Sequence, residues 1–440
     1  MGRTHRVRSR IRKRRAESGA DSDSDIFNEL HRYLGRAGWR NESRLSVRTF
    51  QSTGRGLCSK QNLHPNDLLI RVPFHCLISL KTLEHDPDFN ALFNSVENFP
   101  QKELSFQGLL AFYVIFHQHR AQSQHQTYMT TIPEFFTNPF FCAKQELHFL
   151  PDAILEKIVA QNQEIKAFYE LLSKEFTSAV CECCSSPLFP NIFGLDQLKW
   201  AYFAVNSRCV YVDPKVVVGW VPNSYFLRLI KDEPKLALAP FIDLLNHSDS
   251  ANTISQITSN EPFQYELYTQ RGYSRYEQVF INYGELPNSK LLVEYGFYIP
   301  GNKHDFFEMA LTDIELLMKS RNVVGHRNKF KFIRDHNLDQ QMFIHRDEGP
   351  SHNLVVALYL LLVEESVFPN VLSQVAFGSS EHFESLIHDE IRTLVQLKLE
   401  EYEKFLKGLE DFTSRTESGE VVLGYLKECI SYLSKFLCNY

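Results

Sequence analysis

Two polar motifs, each preceded by an apolar stretch, constrain this chain more than any other feature of its sequence. The first is Asp243–Ser248 (DLLNHS), and the second is Asn282–Gly284 (NYG), which begins 36 residues after Asn246. A third motif, Leu291–Phe297 (LLVEYGF), follows closely. An Asn-His pair after an apolar strand is by itself most often a turn. The order and close succession of the three motifs instead indicate one functional region.

Around these motifs the periodicity of apolar residues predicts an α+β protein, with a mixed first two-thirds and a helical last third. Strands are predicted at Ser46–Phe50 and Asp67–Pro73, and further short β segments over residues 239–297. Ser105 and Asp196 are the expected N-caps of two helices. The predicted helices are Ile26–Gly38, Ser105–Arg120, Asp152–Phe176, Asp196–Ser207, Asn353–Ser366 (ended by Pro369), Glu381–Phe412 and Glu420–Cys438.

The turn Gly54-Arg55-Gly56 does not fit a dinucleotide-binding fingerprint. That fingerprint needs a third glycine and a helix that opens at once, whereas Ser59 stands in the last glycine position and Pro65 follows soon after. A hairpin turn with a positive φ explains the glycines, and such a turn still allows the backbone to approach a ligand.

The cysteines do not predict a metal site. Cys181, Cys183 and Cys184 form C-x-C-C without a second pair, and Cys209 alone does not complete a tetrahedral set. His117 and His119 point in different directions on a helix, which argues against their joining one site. Nine cysteines, an odd number, indicate free thiols and not a disulfide framework. No G-x-S-x-G, P-loop or H-E-x-x-H motif is present either.

Together, the motifs Asp243–Ser248, Asn282–Gly284 and Leu291–Phe297 resemble those of the SET-domain protein methyltransferases. The resemblance is to the branch typified by the Rubisco large-subunit lysine methyltransferase. It implies a β-rich SET fold with a pseudo-knot, one of the rare exceptions to unthreaded topology, in which the two late motifs pack together. The domains that it implies are a disordered basic and acidic tail (1–25), a SET domain (26–300) with a helical insert (about 100–207), and an all-helical substrate-binding domain (301–440).

The resemblance also implies S-adenosylmethionine as the cofactor and assigns residues to it. Thr53, Gly54 and Arg55 match residues that contact the cofactor through their backbone. Arg208 matches the arginine that grips the cofactor carboxylate. Arginine suits that task because its planar guanidinium can bind a carboxylate with two hydrogen bonds.

The late motifs supply the remaining site residues that the resemblance implies. Asp243, Asn246 and His247 match the stretch that binds the adenine and the amine of the cofactor, so His247 is expected to position ligands and not to act as a general base. Tyr283 matches the catalytic tyrosine, and Tyr295 is the second catalytic residue expected. Tyr295 and Phe297 are expected to line the same pocket, and four residues of these motifs are assigned to the cofactor site: Tyr283, Tyr295, Gly296 and Phe297.

These residue types fit methyl transfer to lysine. The attacking amine must be neutral, and deprotonating a lysine of ordinary pKa near 10.4 costs roughly 4 kcal/mol at about pH 7.4. An apolar aromatic channel and a neighbouring sulfonium charge both lower that pKa. Histidine-methylating relatives of this branch carry polar amides after the arginine of the insert, whereas this chain has Cys209 and Val210, which favours lysine. No metal is expected.

A basic block at the N-terminus is the second functional signal. It has eight Lys and Arg side chains within residues 3–15, and the Ser/Asp stretch Ser18–Asp25 follows. A nuclear-import signal, an electrostatic contact with chromatin and a solvated tail all remain open. Without this block the chain is clearly acidic, which argues against nucleic-acid binding over the whole surface. We expect nuclear and cytoplasmic populations and a role as a chromatin regulator.

Composition excludes several other classes. The longest apolar run, Leu354–Val363, is far too short to span a bilayer, and the polar N-terminus has no apolar core of a secretory signal. The resemblance implies that the protein acts on a lysine-bearing protein, histone or non-histone, and we expect it to be a monomer. The alternative is an inactive SET-fold protein that binds peptides or chromatin.

Overall fold

The computed structural model describes residues 25–321, 327–363 and 380–440. The predicted tail, apart from Asp25, and the predicted helix end at Pro369 lie outside the described residues. Within the part that is described, no helix has both the length and the apolar character needed to cross a bilayer.

The chain divides into two units. The first contains the described residues up to Phe135 together with Asn162–Glu285, and the second contains Phe136–Gln161 and the described residues from Leu286 to Tyr440. The α+β class is confirmed, since the first unit carries several small sheets and the second is largely helical.

The first unit contains a four-stranded sheet. Its strands lie in the order β1 (Leu45–Phe50), β2 (Gly54–Ser59), β9 (Gln278–Ile281) and β6 (Asn246–His247). Strands β1 (Leu45–Phe50) and β2 (Gly54–Ser59) make a hairpin, and β2 also pairs with β9 (Gln278–Ile281). The two-residue strand β6 (Asn246–His247) lies parallel to β9. The expected positive φ in the glycine turn is confirmed at Gly54, with φ 73°.

Two further sheets complete the β structure of this unit. Strand β3 (Leu68–Pro73) pairs with β8 (Gln264–Thr269), which also pairs with β7 (Thr253–Ile257). Strands β4 (Cys209–Tyr211) and β5 (Leu236–Leu238) form a separate antiparallel pair. The bounds of the strands predicted at Ser46–Phe50 and Asp67–Pro73 are confirmed to within one residue. The short β segments predicted over residues 239–297 are also present.

The helices of the first unit include the insert. Helix α4 (Phe106–His119) begins where Ser105 Oγ accepts from the N–H of Gly108 at 3.2 Å, which confirms Ser105 as its cap. The cap predicted at Asp196 is wrong. Gly194 precedes the first turn of α7 (Leu195–Arg208), and Asp196 lies inside that turn, where its negative charge interacts favourably with the helix dipole. The helices are α1 (residues 25–36), α2 (Leu80–Glu84), α3 (Pro87–Asn94), α4 (Phe106–His119), α5 (Gln126–Met129), α6 (Asp152–Glu175, which begins in the second unit), α7 (Leu195–Arg208), α8 (Pro214–Trp220) and α9 (Tyr225–Leu229).

The second unit packs its helices around one apolar core that includes Leu354–Leu358, Leu394 and Leu426. The prediction of a helical C-terminal region is confirmed, but the region is not all-helical, because it also contains a small sheet of β10 (Phe306–Glu308), β11 (Phe343–His345) and β12 (Gly349–Pro350). Its helices are α10 (Asn288–Lys290, continued by a wider turn at Leu291–Tyr295), α11 (Leu311–Ser320), α12 (Arg327–Asp335), α13 (His352–Leu362), α14 (Ser380–Leu386), α15 (His388–Asp411) and α16 (Glu417–Asn439).

Three predicted helix bounds change in this unit. The predicted helix Glu381–Phe412 is two helices, because the buried Ile387 adopts φ −127° between them. Helix α16 begins before Glu420 because Thr416 Oγ1 accepts from the N–H of Gly419 at 3.0 Å. Helix α13 ends at Leu362, and residues 364–366 of the predicted helix lie outside the described part.

Candidate functional site

The two late motifs lie side by side in the first unit. Asn246 and His247 pair with β9 in parallel, opposite Phe280 and Ile281. The N–H of Tyr283 then donates to Nδ1 of His247 at 3.1 Å, and the two rings stack with centroids 5.0 Å apart. Because Nδ1 accepts this bond, the neutral ring carries its proton on Nε2. His247 thus positions the Tyr283 backbone, and the cofactor-binding role implied for it remains a prediction.

The Tyr283 side chain is held in one direction. Its hydroxyl donates to the backbone oxygen of Leu245 at 2.7 Å, which turns the phenol oxygen into an acceptor for any further partner. The chain leaves the motif through Gly284, which has φ 131° and donates its N–H to Oδ1 of Asn282 at 2.8 Å. A side chain at Gly284 would be strained in that conformation.

The glycine turn is bonded directly to the first late motif. Asn246 Nδ2 donates to the backbone oxygen of Arg55 at 2.9 Å, and Thr53 Oγ1 donates to Oε1 of Gln278 at 2.9 Å. A Cβ at Gly56 would lie 2.6 Å from Nε2 of Gln278 and 2.7 Å from Nδ2 of Asn246. Gly56 therefore lets the two amides approach the backbone of β2.

The side chain of Arg55 is engaged in packing. It donates from Nη2 to the backbone oxygen of Thr131 at 2.9 Å and lies over the ring of Phe27, 5.0 Å from its centroid. The backbone oxygen of Arg55 accepts the bond from Asn246, and the cofactor contact implied for Thr53, Gly54 and Arg55 remains a prediction.

Arg208 and Asp243 form the charged end of the site. Arg208 Nη1 donates to the backbone oxygen of Asp243 at 2.8 Å, and the hydroxyl of the buried Tyr128 donates to Oδ2 of Asp243 at 3.0 Å. Burial raises the pKa of the Asp243 carboxyl, against the opposing effects of the Arg208 charge and the Tyr128 hydrogen bond.

Two atoms of this pair have unmet hydrogen-bonding capacity. Arg208 Nε and Asp243 Oδ1 are buried, and neither has a hydrogen-bond partner among the described residues. A buried donor or acceptor left unsatisfied costs about 1–3 kcal/mol. The pair therefore fits a ligand that offers both an acceptor and a donor, as the carboxylate and ammonium groups of an amino acid do.

The structure adds three residues that the sequence interpretation missed. Tyr128 bonds Asp243 from 115 positions away, and Gln278 has a buried Nε2 with no hydrogen-bond partner in the described chain. Phe241, two residues before the DLLNHS motif, adopts φ 72° and packs against His31 and Trp39. Such a backbone conformation is strained in a bulky residue and tends to occur at functional sites. A phenylalanine carries no local signal for it.

The third motif lies in the second unit. Tyr295 ends the wider turn after α10, and its ring centroid is 6.2 Å from that of Phe297. Gly296 has φ 74°, and a Cβ there would lie 2.7 Å from Thr137 Oγ1. Gly296 is thus explained by its backbone conformation, and the roles implied for Tyr295, Gly296 and Phe297 remain predictions.

His119 lies beside the cysteines Cys181, Cys183 and Cys184. His117 and His119 do diverge, but His119 reaches the three cysteines: its Nε2 lies 3.3 Å from Cys183 Sγ. The donor atoms of His119, Cys181, Cys183 and Cys184 all lie within 4.8 Å of one another.

The sequence of residues 54–284 matches the SET domain, and this match covers more than half of the chain. The chain belongs to the SET-domain family. The matched segment starts at Gly54 and ends at Gly284, so it contains the glycine turn and both late motifs that the structure brings together.

Known relatives are similar over most of the chain. SET domain-containing protein 4 from Artemia parthenogenetica is 26% identical over 94% of this chain and 98% of its own length. Its human counterpart is 29% identical, over 83% of this chain and 80% of its own length. The predicted resemblance is therefore confirmed.

The fold is that of a solved relative. The crystal structure of the SET domain of LSMT bound to lysine and AdoHcy superposes with a TM-score of 0.60 at 17% identity and covers 93% of this chain and 91% of that one. The predicted SET fold with a helical C-terminal region is confirmed.

Proposed function

We propose that this protein is an S-adenosylmethionine-dependent protein-lysine N-methyltransferase. Its membership in the SET-domain family makes it a protein methyltransferase, and the superposable LSMT structure holds lysine and AdoHcy. The observation that carries the proposal is the buried pair Arg208 and Asp243, which offers a donor and an acceptor with no partners in the described chain.

The residues present fit the cofactor. S-adenosylmethionine supplies, when bound, a methyl group activated by a positively charged sulfur, and its amino-acid end carries a carboxylate and an ammonium group. In our proposal Arg208 binds the carboxylate and Asp243 faces the ammonium group. The glycine turn at Gly54–Gly56, with Asn246 bonded to it, presents backbone to the rest of the cofactor.

Catalysis then depends on positioning. Tyr283 is fixed by His247 at its backbone and by the Leu245 oxygen at its hydroxyl, so its oxygen is directed before substrate arrives. An oriented phenol oxygen can accept a hydrogen bond from a lysine amine and hold it in line without adding a charge. Lysine, and not histidine, is proposed because the apolar pair Cys209 and Val210 follows Arg208.

The proposed substrates are lysines of nuclear and cytoplasmic proteins, histones among them. This part of the proposal depends on the eight basic residues within positions 3–15, whose charge favours import into the nucleus or contact with chromatin. A lysine-bearing peptide is the proposed partner, and the protein is proposed to act as a monomer.

The test is methyl transfer from methyl-labelled S-adenosylmethionine to proteins of a cell lysate, with purified full-length protein and an Arg208→Ala variant as control. Acid hydrolysis and chromatography of the labelled residues separate methyl-lysine from methyl-histidine. Label in methyl-lysine with the wild type alone supports the proposal. Label in methyl-histidine would overturn the lysine assignment, and cofactor binding without any label would favour the inactive, peptide-binding alternative.

A further inference from the structure

A cluster of three cysteines and one histidine lies in the helical insert, outside the site described above. His119 is the last residue of α4, and Cys181, Cys183 and Cys184 lie in the loop that follows α6. All four belong to the first unit. More than 60 positions of sequence separate the histidine from the cysteines, so the fold and not the local sequence brings them together.

The loop is shaped so that its thiols converge. Val180 and Pro187 face each other in an antiparallel bridge that closes the loop. Inside it the N–H of Cys181 donates to the Ser186 oxygen at 2.8 Å, and the N–H of Ser185 donates to the Cys181 oxygen at 2.7 Å. The resulting tight turn directs the three thiols toward the end of α4.

The separations between His119 and two of the cysteines match a tetrahedral site, and the Cys181–Cys183 pair is somewhat closer than such a site needs. His119 Nε2 lies 3.3 Å from Cys183 Sγ and 3.4 Å from Cys184 Sγ. With Zn–S near 2.3 Å and Zn–N near 2.0 Å, tetrahedral angles require S···N distances of about 3.5 Å and S···S distances of about 3.8 Å. Cys181 Sγ and Cys183 Sγ are 3.0 Å apart, so an ion would open that pair by less than about 1 Å. A disulfide would instead need about 2.05 Å.

We propose that His119, Cys181, Cys183 and Cys184 bind one structural Zn²⁺ ion. Three thiolates and one imidazole are a donor set that zinc prefers, whereas magnesium and calcium prefer oxygen. Four protein ligands fill a tetrahedral site, as in structural zinc centres, so the ion is proposed to hold the loop against α4 and to take no part in methyl transfer. His119, Cys183 and Cys184 are exposed, so the ion can enter from solvent.

The first experiment measures the metal content of the full-length protein, purified under reducing conditions without chelator, by plasma mass spectrometry. We expect one zinc ion per chain. The Cys183→Ser/Cys184→Ser double variant and His119→Ala should lose most of it, whereas Cys438→Ser and His64→Ala, exposed residues elsewhere in the chain, should retain it. Absence of zinc from the wild type, or equal zinc in every variant, would overturn the proposal.

The second experiment does not depend on the folding of variants. Co²⁺ is added to the reduced wild-type protein after its metal has been removed by a chelator. Intense thiolate-to-cobalt charge-transfer bands with the d–d bands of tetrahedral cobalt are expected, and Zn²⁺ should abolish both. The weak spectrum of octahedral cobalt would reject the site. A loss of two reactive thiols on air oxidation, together with no zinc uptake, would also reject the site, because this result would identify a redox pair. Cofactor binding by the zinc-free protein is measured separately, so failure of this proposal leaves the methyltransferase proposal intact.

Discussion

The N–H of Tyr283 donates to Nδ1 of His247 across 36 positions of sequence, and this bond ties the two late motifs together. The two-residue strand pair of β6 with β9 precedes it, and the Tyr283 hydroxyl adds a bond to the Leu245 oxygen. The arrangement makes the direction of the Tyr283 side chain depend on the SET core and not on a loop. In the proposed reaction, positioning of this kind contributes to catalysis without a titrating base.

Tyr283→Phe is expected to lower methyl transfer at least tenfold while cofactor affinity changes by no more than a few-fold, about 1 kcal/mol or less. The variant loses the hydroxyl oriented by Leu245 but keeps the backbone bond to His247. Single-turnover transfer and calorimetric cofactor binding measure the two effects. Tyr276→Phe, at an exposed tyrosine, is the control, and equal turnover in both variants would reject the catalytic assignment.

Arg208→Ala is expected to weaken cofactor binding by about 1.5–3 kcal/mol, the range for a hydrogen bond to a charged group. The same change at the exposed Arg228 should leave affinity unaltered. Arg208→Lys should restore only part of the affinity, because an ammonium group keeps the charge but loses the fork of donors. Calorimetry decides, and full affinity in Arg208→Ala would exclude a carboxylate-binding role.

Gly56→Ala is expected to reduce both stability and cofactor affinity. The added Cβ would meet Gln278 Nε2 at 2.6 Å and Asn246 Nδ2 at 2.7 Å, so at least one amide must move. Overpacking of this kind costs about 1–3 kcal/mol. Gly219→Ala is the matched control because nothing lies within 4 Å of its added Cβ. Urea unfolding and cofactor titration measure the two effects, and a Gly56→Ala variant like the control would contradict the packing seen here.

Local features of the fold could be predicted from the sequence, because they depend on residues close together in the chain. Ser105 caps α4 through its own first turn, and the short apolar stretch before Pro73 marks β3 to within one residue. The break at Ile387 could not be predicted, since the residues around it continue a helical pattern and the core determines the break.

Site residues that belong to a sequence motif could be predicted, whereas site residues that tertiary packing brings together could not. Asn246 and Tyr283 stand in patterns that resemble a family, so their proximity could be expected. Tyr128 reaches Asp243 from a short helix with no motif, and His119 meets Cys183 only because α4 ends beside a distant loop. Side-chain partners separated by tens of residues follow from tertiary packing, which a single sequence does not show.

Deleting residues 1–15 is expected to leave methyl transfer to short peptides unchanged and to reduce the nuclear fraction of the protein in cells. The deleted block carries the eight basic residues and lies outside the segment that matches the SET domain. Fluorescence imaging of tagged full-length and deleted chains measures localisation.

If the block binds nucleic acid, the affinity of the intact chain for nucleosomes should fall steeply as the salt concentration rises, and the affinity of the deleted chain should fall less steeply. No change in either measurement would leave the block as a solvated tail.

Acid lability is expected from His125, which is buried beside His117 and Asp86. Burial first, and then the neighbouring His117, lower the pKa of His125 to about 3. In the unfolded chain, His125 has an ordinary pKa near 6.5. Below that pH the unfolded chain therefore binds a proton at His125 that the folded chain does not bind. The free energy of unfolding thus falls as pH falls toward 3. At about pH 5 the loss relative to neutral pH is about 2 kcal/mol. Urea unfolding at the two pH values should show this loss in the wild type and in His64→Gln, an exposed control, but not in His125→Gln. Equal pH dependence in all three proteins would show that His125 titrates alike in the folded and unfolded chains.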